Sequence, residues 1–189
     1  SQVIQAIRRN FDPDQDFHLI ARTAADTLDF TGEATHKGSK MILDATAGPS
    51  GEGSPTAVAL PSNLSSISSV VSKYRLVGRT MLVVQVSDQG RQVVQRLVDN
   101  PLLIGVKIVV AVSDDVDIED DESLLWGIFT RFDAVLDVIF SDTEFRGLAP
   151  VYSGVMGIDA TWKQGYQKPL VMDPKIIKKV DSEWSRYSK

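Results

Sequence analysis

The sequence predicts an α/β protein of three layers, with helices on both faces of a mainly parallel sheet. Three observations carry that expectation. "TMLVVQV" (80–86) and "VKIVVAV" (106–112) are nearly continuous apolar, β-branched runs of strand length, as strands buried on both faces are. Amphipathic segments of helical spacing alternate with them, the pattern of strand–helix–strand units whose right-handed crossovers keep strands parallel. Part of the chain is also written twice. "FDPDQDFHLI" from Phe11 is answered by "FDAVLDVIF" from Phe132, and "MILDAT" (41–46) by "MGIDAT" (156–161).

In chain order, Val3, Ile4, Ile7 and Phe11 form a helical stripe and "DFHLI" (16–20) reads as a strand. Asp26-Thr27 and "FTG" (30–32) then match Asp142-Thr143 and "FRG" (145–147), and "MILDAT" closes a first copy at residues 1–46. Residues 47–76 change texture: "AGPSGEGSP" and "SNLSSISSVVSKY" read as a Gly/Ser-rich linker, with a weak amphipathic helix carrying Leu64, Ile67, Val70 and Val71. Residues 77–189 form a second, near-complete copy. After the strand at 80–86, Val93, Val94, Leu97 and Val98 fall at helical spacing and Pro101 is a stop signal. After the strand at 106–112, Leu124, Leu125, Ile128, Phe129 and Phe132 share a helical face, and "AVLDVIF" (134–140) is expected as a third strand beside the other two. Asp173 and Pro174 then start a helix whose Ile176, Ile177, Val180, Trp184 and Tyr187 make one apolar face. The three parts are expected to form one compact unit. The strand–helix–strand of residues 79–123 has no counterpart ahead of Val3, so the sequence is expected to be a piece of a longer polypeptide.

Composition narrows the function classes. Hydrophobic content of 43% over 189 residues suits one well-filled core, and a net charge of −5 argues against a nucleic-acid partner. The absence of cysteine removes disulfides, thiolate zinc sites and a cysteine nucleophile. No apolar run approaches the roughly 20 residues of a membrane span, and the N-terminal stretch lacks the apolar centre of a signal peptide, so a cytoplasmic location is expected.

The motifs that invite chemistry each have a plainer reading. "GPSGEG" (48–53) has phosphate-loop glycines but lacks the Lys-Ser/Thr ending, and reads as linker. "DDVDIEDDE" (114–122) lacks an EF-hand glycine; it sits where a strand ends and a helix begins, so helix capping and a solvated face are expected, with a ligand crevice as the alternative. His18 and His36 have no partner at ligand spacing. Asp44 and Asp159, in the paired "DAT" turns, are expected to accept backbone N–H bonds rather than to act as catalysts.

"VKIVVAVSDDVDIEDDESLLWGIFTRFD", followed by "MGIDATWK" and "MDPKIIKKVDSEW", resembles the C-terminal domain of UbiD-type decarboxylases, the 3-polyprenyl-4-hydroxybenzoate carboxy-lyases. The first copy is similar to the same domain over Val3–Thr46, through "TLDF" (27–30) and "SKMILDAT" (39–46). It departs from the family pattern at Gln5, where the family has Trp, and at Ile42, where it has Gly; the second copy has Trp126 and Gly157 there but carries Gly154-Val155 in place of Ser-Lys. The resemblance implies that the parent decarboxylates aromatic or unsaturated acids, in ubiquinone or menaquinone biosynthesis, with prenylated FMN, a divalent metal and a Glu–Arg–Glu set. Those groups belong to N-terminal and central domains, so it implies no catalytic, cofactor-binding or metal residue here. It implies an assembly domain that covers the active-site mouth, with the parent's other domains and further copies of the chain as partners. The face of Ile176, Ile177, Val180, Trp184 and Tyr187 is the expected interface. A nucleotide- or metal-binding α/β module is the alternative.

Overall fold

The computed structural model describes residues 2–48, 57–60, 64, 68–167 and 170–187. Its centre is a five-stranded sheet in the order β3-β4-β5-β7-β6, formed by β3 (Val71–Val77), β4 (Met81–Val86), β5 (Ile108–Ser113), β6 (Val138–Arg146) and β7 (Ala149–Ala160). β4, β5 and β7 run parallel, while β3 and β6 close the two edges antiparallel. The sheet is therefore mixed around a parallel centre. The unbroken apolar runs behave as expected: Leu82, Val83, Val84, Val109, Val110 and Ala111 are all fully buried.

Alternating side chains divide between two cores. Leu82, Val84, Val86, Val109 and Ala111 meet α3 (Gly90–Val98), whose Val93, Val94, Leu97 and Val98 are the buried residues expected from spacing. Val83, Ile108, Val110 and Val112 face the opposite layer, built from α1 (Gln2–Asn10), α4 (Asp121–Phe129) and a separate hairpin of β1 (Phe17–Ala24) and β2 (Lys37–Leu43). In α4 only part of the expected face is covered: Leu124 and Ile128 are buried, but Leu125 and Phe129 are exposed. The tight β3–β4 turn puts Gly78 and Arg79 both at positive φ, as the central residues of a type I′ turn are, and Thr80 N donates to the Val77 carbonyl (3.0 Å). It also seats α1, since Gln5 donates to the Gly78 carbonyl (3.1 Å) and a Cβ on Gly78 would strike Ile4.

Two expectations need correction. Residues 134–137 are a short helix, α5 (Ala134–Asp137), and the strand runs from Val138. The cause is capping: the Asp133 carboxylate accepts Val135 N (2.9 Å) and Leu136 N (3.3 Å), while Asp137 accepts Asp133 N (2.8 Å). The resulting β6 does not neighbour β5, because β7 lies between them. The amphipathic helix over 64–71 is also replaced in part: Val71 opens edge strand β3, paired with Val86, although Leu64 is buried as a core residue. Ile67 lies outside the described residues.

The matching sequences fold alike. The first stretch gives α1, a short α2 (Pro13–Asp16), β1 and β2; the second gives α4, α5, β6 and β7. α2 carries the same cap, with Asp14 N donating to Asp12 (3.2 Å) and Asp12 N to Asp16 (2.7 Å). The hairpin registers agree: Phe17, His18 and Leu19 face Leu43, Ile42 and Met41, as Val138, Ile139 and Phe140 face Ile158, Gly157 and Met156. The extra residues of the first stretch sit in the β1–β2 connection. The two stretches also pack on each other reciprocally, α2 on β7 and α5 on β2. Ile7, Phe11 and Phe17 enter the same core as Ile108, Val110, Met156 and Ile158, and Phe17 meets Phe140 edge-on at 4.8 Å.

Candidate functional site

The carboxyl ends of parallel strands are where α/β ligand crevices form, and here they hold a cluster of charged groups. Asp159, at the end of β7, accepts Thr161 N (3.1 Å) and Thr161 Oγ1 (2.6 Å), and Trp162 N then donates to Ser113 Oγ at the end of β5 (2.7 Å). Beside this turn Arg131 is 1% exposed. Its guanidinium forks onto Asp115, both contacts 2.7 Å, and lies 4.8 Å from the Trp162 ring and 5.7 Å from Trp126. The Lys163 ammonium donates to the carbonyls of Asp159 (2.8 Å), Arg131 (3.1 Å) and Thr161 (3.3 Å), and pairs with Asp137 (3.3 Å).

The electrostatics follow from these contacts. Hydrogen bonds from Arg131 hold the Asp115 carboxyl below its ordinary range. Burial pushes Asp137 up, against the Asp133 N–H and the Lys163 charge that favour its ionised form. Tyr166 is pushed up by burial and by the surrounding carboxylates, Asp137 first. Arg131 and Lys163 are both engaged by carboxylates, and of the cluster's buried side-chain atoms only Arg131 Nε lacks a partner among the described residues. The start of α3 is crowded too, since a Cβ on Gly90 would run into Asp159 and Thr161. At these strand ends the described residues therefore fit the phosphate of a flavin cofactor poorly: Arg131 and Lys163 are already engaged, and a carboxylate lies beside the α3 N-terminus.

The other sequence-marked groups resolve into structure. Among the acids at 114–122, Asp120 caps α4 through Ser123 N (2.7 Å), Asp117 accepts Glu119 N (3.0 Å), Asp121 pairs with Arg75 (2.7 Å), and Asp115 serves Arg131. Among the described residues no group of three acids or histidines is arranged to hold a metal. Asp44 accepts Thr46 N (2.9 Å) and Thr46 Oγ1 (2.8 Å), as Asp159 does with Thr161, and those bonds, the backbone one first, lower its pKa. His18 and His36 are both exposed, on β1 and in the β1–β2 connection. Of "GPSGEG" only Gly48 is among the described residues.

The members of the Arg131 cluster lie inside the stretches quoted above, "DDVDIEDDESLLWGIFTRFD" and "MGIDATWK", which do not by themselves show that these side chains meet. Trp126, Arg131, Trp162 and Lys163 stand where the matching residues of the first stretch are Gln5, Asn10, Ala47 and Gly48. In the first stretch a hydrogen bond from Asn10 Nδ2 to the Ala45 carbonyl (2.9 Å) holds the corresponding corner.

Two apolar surfaces stand out among the described residues. A groove of about 1040 Å³ opens between α1, α4 and β2, walled by Ile4, Met41, Leu43, Ile108, Leu125 and Phe129. The second is α6 (Pro174–Glu183) with the 3-10 turn Trp184–Arg186 that follows it. Asp173 caps this helix through Lys175 N (2.8 Å), as its sequence foretells. None of its residues is buried: Ile176, Ile177 and Val180 are 47%, 46% and 42% exposed, Trp184 60% and Tyr187 69%.

Comparison with known proteins gives this geometry a family. The model of the 3-octaprenyl-4-hydroxybenzoate carboxy-lyase C-terminal domain matches residues 1–45 and 54–160. A 4-hydroxybenzoate decarboxylase subunit of Chlamydia pneumoniae is 28% identical over 195 residues, covering 99% of this chain and 31% of that protein. An uncharacterised protein of Archaeoglobus fulgidus is 31% identical over 110 residues, 51% of this chain and 23% of its own length. The chain thus spans less than a third of these relatives. Among solved structures, the closed form of the vanillic acid decarboxylase of Sedimentibacter hydroxybenzoicus matches 67% of this chain and 30% of its own, at 19% identity and a TM-score of 0.48. An evolved dimeric form of the UbiD-class enzyme HmfF of Pelotomaculum thermopropionicum, in complex with prFMN, matches 61% and 26%, at 22% identity and a TM-score of 0.46.

Proposed function

Because the chain belongs to the family of 3-octaprenyl-4-hydroxybenzoate carboxy-lyase C-terminal domains, we propose that it is the non-catalytic assembly region of a decarboxylase acting on aromatic or unsaturated carboxylic acids. Its partners are the N-terminal and central domains of the parent and further copies of the chain. The parent carries prenylated FMN and a divalent metal in those other domains, and works in the cytoplasm in quinone biosynthesis. The observation that carries the reading is the uncovered face of α6. Five large apolar side chains at helical spacing, all at least 42% exposed, form a patch that soluble monomers rarely present. Trp184 and Tyr187 at its end are of the types enriched at interfaces.

Truncation after Val171 tests it. The expected result is a shift from oligomer to a well-folded smaller species in sizing experiments, with the thermal melt of the remaining chain preserved. An unchanged size with an earlier melt would assign α6 to the protein's own core instead. The isolated chain is also expected to show no decarboxylation of 4-hydroxybenzoate derivatives and no uptake of prenylated FMN. The strand-end cations are engaged by Asp115 and Asp137, and the α3 N-terminus faces Asp159. A rate that survives repurification would overturn this.

A further inference from the structure

Two helices of this chain keep apolar faces uncovered, and the surroundings of the two faces are complementary in charge. Residues 124–129 of α4 contain no polar side chain, so that helix is apolar on every side, as helices covered all round are. Leu124 and Ile128 are buried, but Leu125 and Phe129 are exposed and wall the groove between α1, α4 and β2. The groove is not apolar throughout. Asp26, Asp29, Thr31, Ser39, Lys40 and Thr130 line it together with Met41, Leu43, Leu125 and Phe129. Its occupant must therefore be amphipathic and carry positive charge. We propose that α6 of a second copy of this chain docks in the groove, its apolar face on Leu125 and Phe129 and its lysines toward Asp26 and Asp29, and that two copies exchange their helices reciprocally.

Charge selects this occupant. Asp26 and Asp29 accept only from their own loop, Leu28 N (2.9 Å) and Thr31 N (3.1 Å) among the donors, and neither meets a cation among the described residues. Lys175, Lys178 and Lys179 of α6 are likewise without an acid partner among the described residues. Apolar and basic faces on one helix match a groove with apolar walls and free carboxylates, the way amphipathic helices are taken up in grooves. Size agrees as well. α6 and the turn after it, ten and three residues, make a rod of about 20 Å. Within its own chain α6 buries none of its residues, so its face is left for another copy. Each copy carries one helix and one groove, and reciprocal exchange closes the assembly at two.

The inference rests on α6 being an association element and adds the surface it binds. The chain has no cysteine, so disulfide trapping reads that surface without background. Phe129→Cys and Val180→Cys, both at exposed positions, are placed in separate full chains carrying different tags. Mild oxidation of the mixture is expected to link the two tags about tenfold more than it links Val180→Cys to Leu102→Cys, an exposed position in the turn after α3, because a disulfide forms only between close Cα atoms. Leu125→Cys is the second groove position should Phe129→Cys fail to fold. Absence of a link from the groove, while truncation after Val171 still dissociates the oligomer, would sink this proposal and leave the α6 reading standing. Equal linking at Leu102 would sink it too. A chain with both cysteines that closes the disulfide within itself, with no link between tags, would overturn it in favour of the protein's own helix. Charge gives a second readout: Lys175→Glu, Lys178→Glu and Lys179→Glu together should weaken association about tenfold or more at low salt and less at high salt. Association unchanged by that triple variant would also overturn the proposal.

Discussion

Arg131 shows how one residue can define a corner of this protein. A guanidinium 1% exposed is tolerable only with its charge matched, and Asp115 supplies the match from the loop after β5. Asp115→Asn keeps the shape but removes the charge, and should cost about 1.5–3 kcal/mol in urea unfolding at pH 7, the lower range because Asp115 is itself half in solvent. The pH dependence has a definite sign. Asp115 has a lowered folded pKa, so its contribution is present above the ordinary carboxylate range and disappears as pH falls through the folded value. Wild type and variant should therefore converge in strongly acid solution. A gap that stays constant with pH would show that the carboxylate charge is not what holds Arg131.

Among the elements, the capped turns ahead of the two hairpins carry unequal loads. Asp12 is exposed and caps Asp14 N, whereas Asp133 is 5% exposed and also receives Ser39 N (2.9 Å) and Ser39 Oγ (2.6 Å) from β2. Asp12→Ala should cost about 1 kcal/mol. Asp133→Ala should cost about 2 kcal/mol, because it also leaves the part-buried Ser39 donors without an acceptor. Equal losses in chemical denaturation would count against this division. The same turn explains what is legible in the sequence and what is not. β4 and β5 are evident because burial on both faces strips nearly every polar residue from them. α5 reads as strand because Val135 and Leu136 sit in an apolar run, and only the spacing of Asp133 and Asp137 discloses the cap. β3 and β7 give no such signal: β3 is an edge strand carrying Ser72, Lys73 and Arg75, and β7 starts exposed and contains Gly154 and Gly157. α6 is legible as a helix, cap included, since Asp173-Pro174 is a local signal; what covers its face is not a local property. The Arg131 cluster needs tertiary structure, because Asp115, Arg131 and Lys163 come from three separate loops.

For the molecule as a whole, the question is whether residues 1–46 and the larger part unfold together. Phe17 sits between them, 8% exposed and edge-on to Phe140 and Tyr152 at 4.8 and 5.1 Å. Removing its ring should cost about 3–5 kcal/mol. All three tryptophans, Trp126, Trp162 and Trp184, lie outside residues 1–46, so their fluorescence does not report directly on local unfolding there. If the shared core of Ile7, Phe11, Phe17, Ile108, Val110 and Met156 makes one cooperative unit, Phe17→Ala must lower the midpoint reported by Trp126 and Trp162, and amide exchange in β1 must follow the same transition. The reciprocal packing of α2 on β7 and α5 on β2 demands this outcome, since neither hairpin can leave without uncovering the other's inner strand. A tryptophan midpoint that stays in place while β1 exchanges freely would instead make residues 1–46 a separately opening unit.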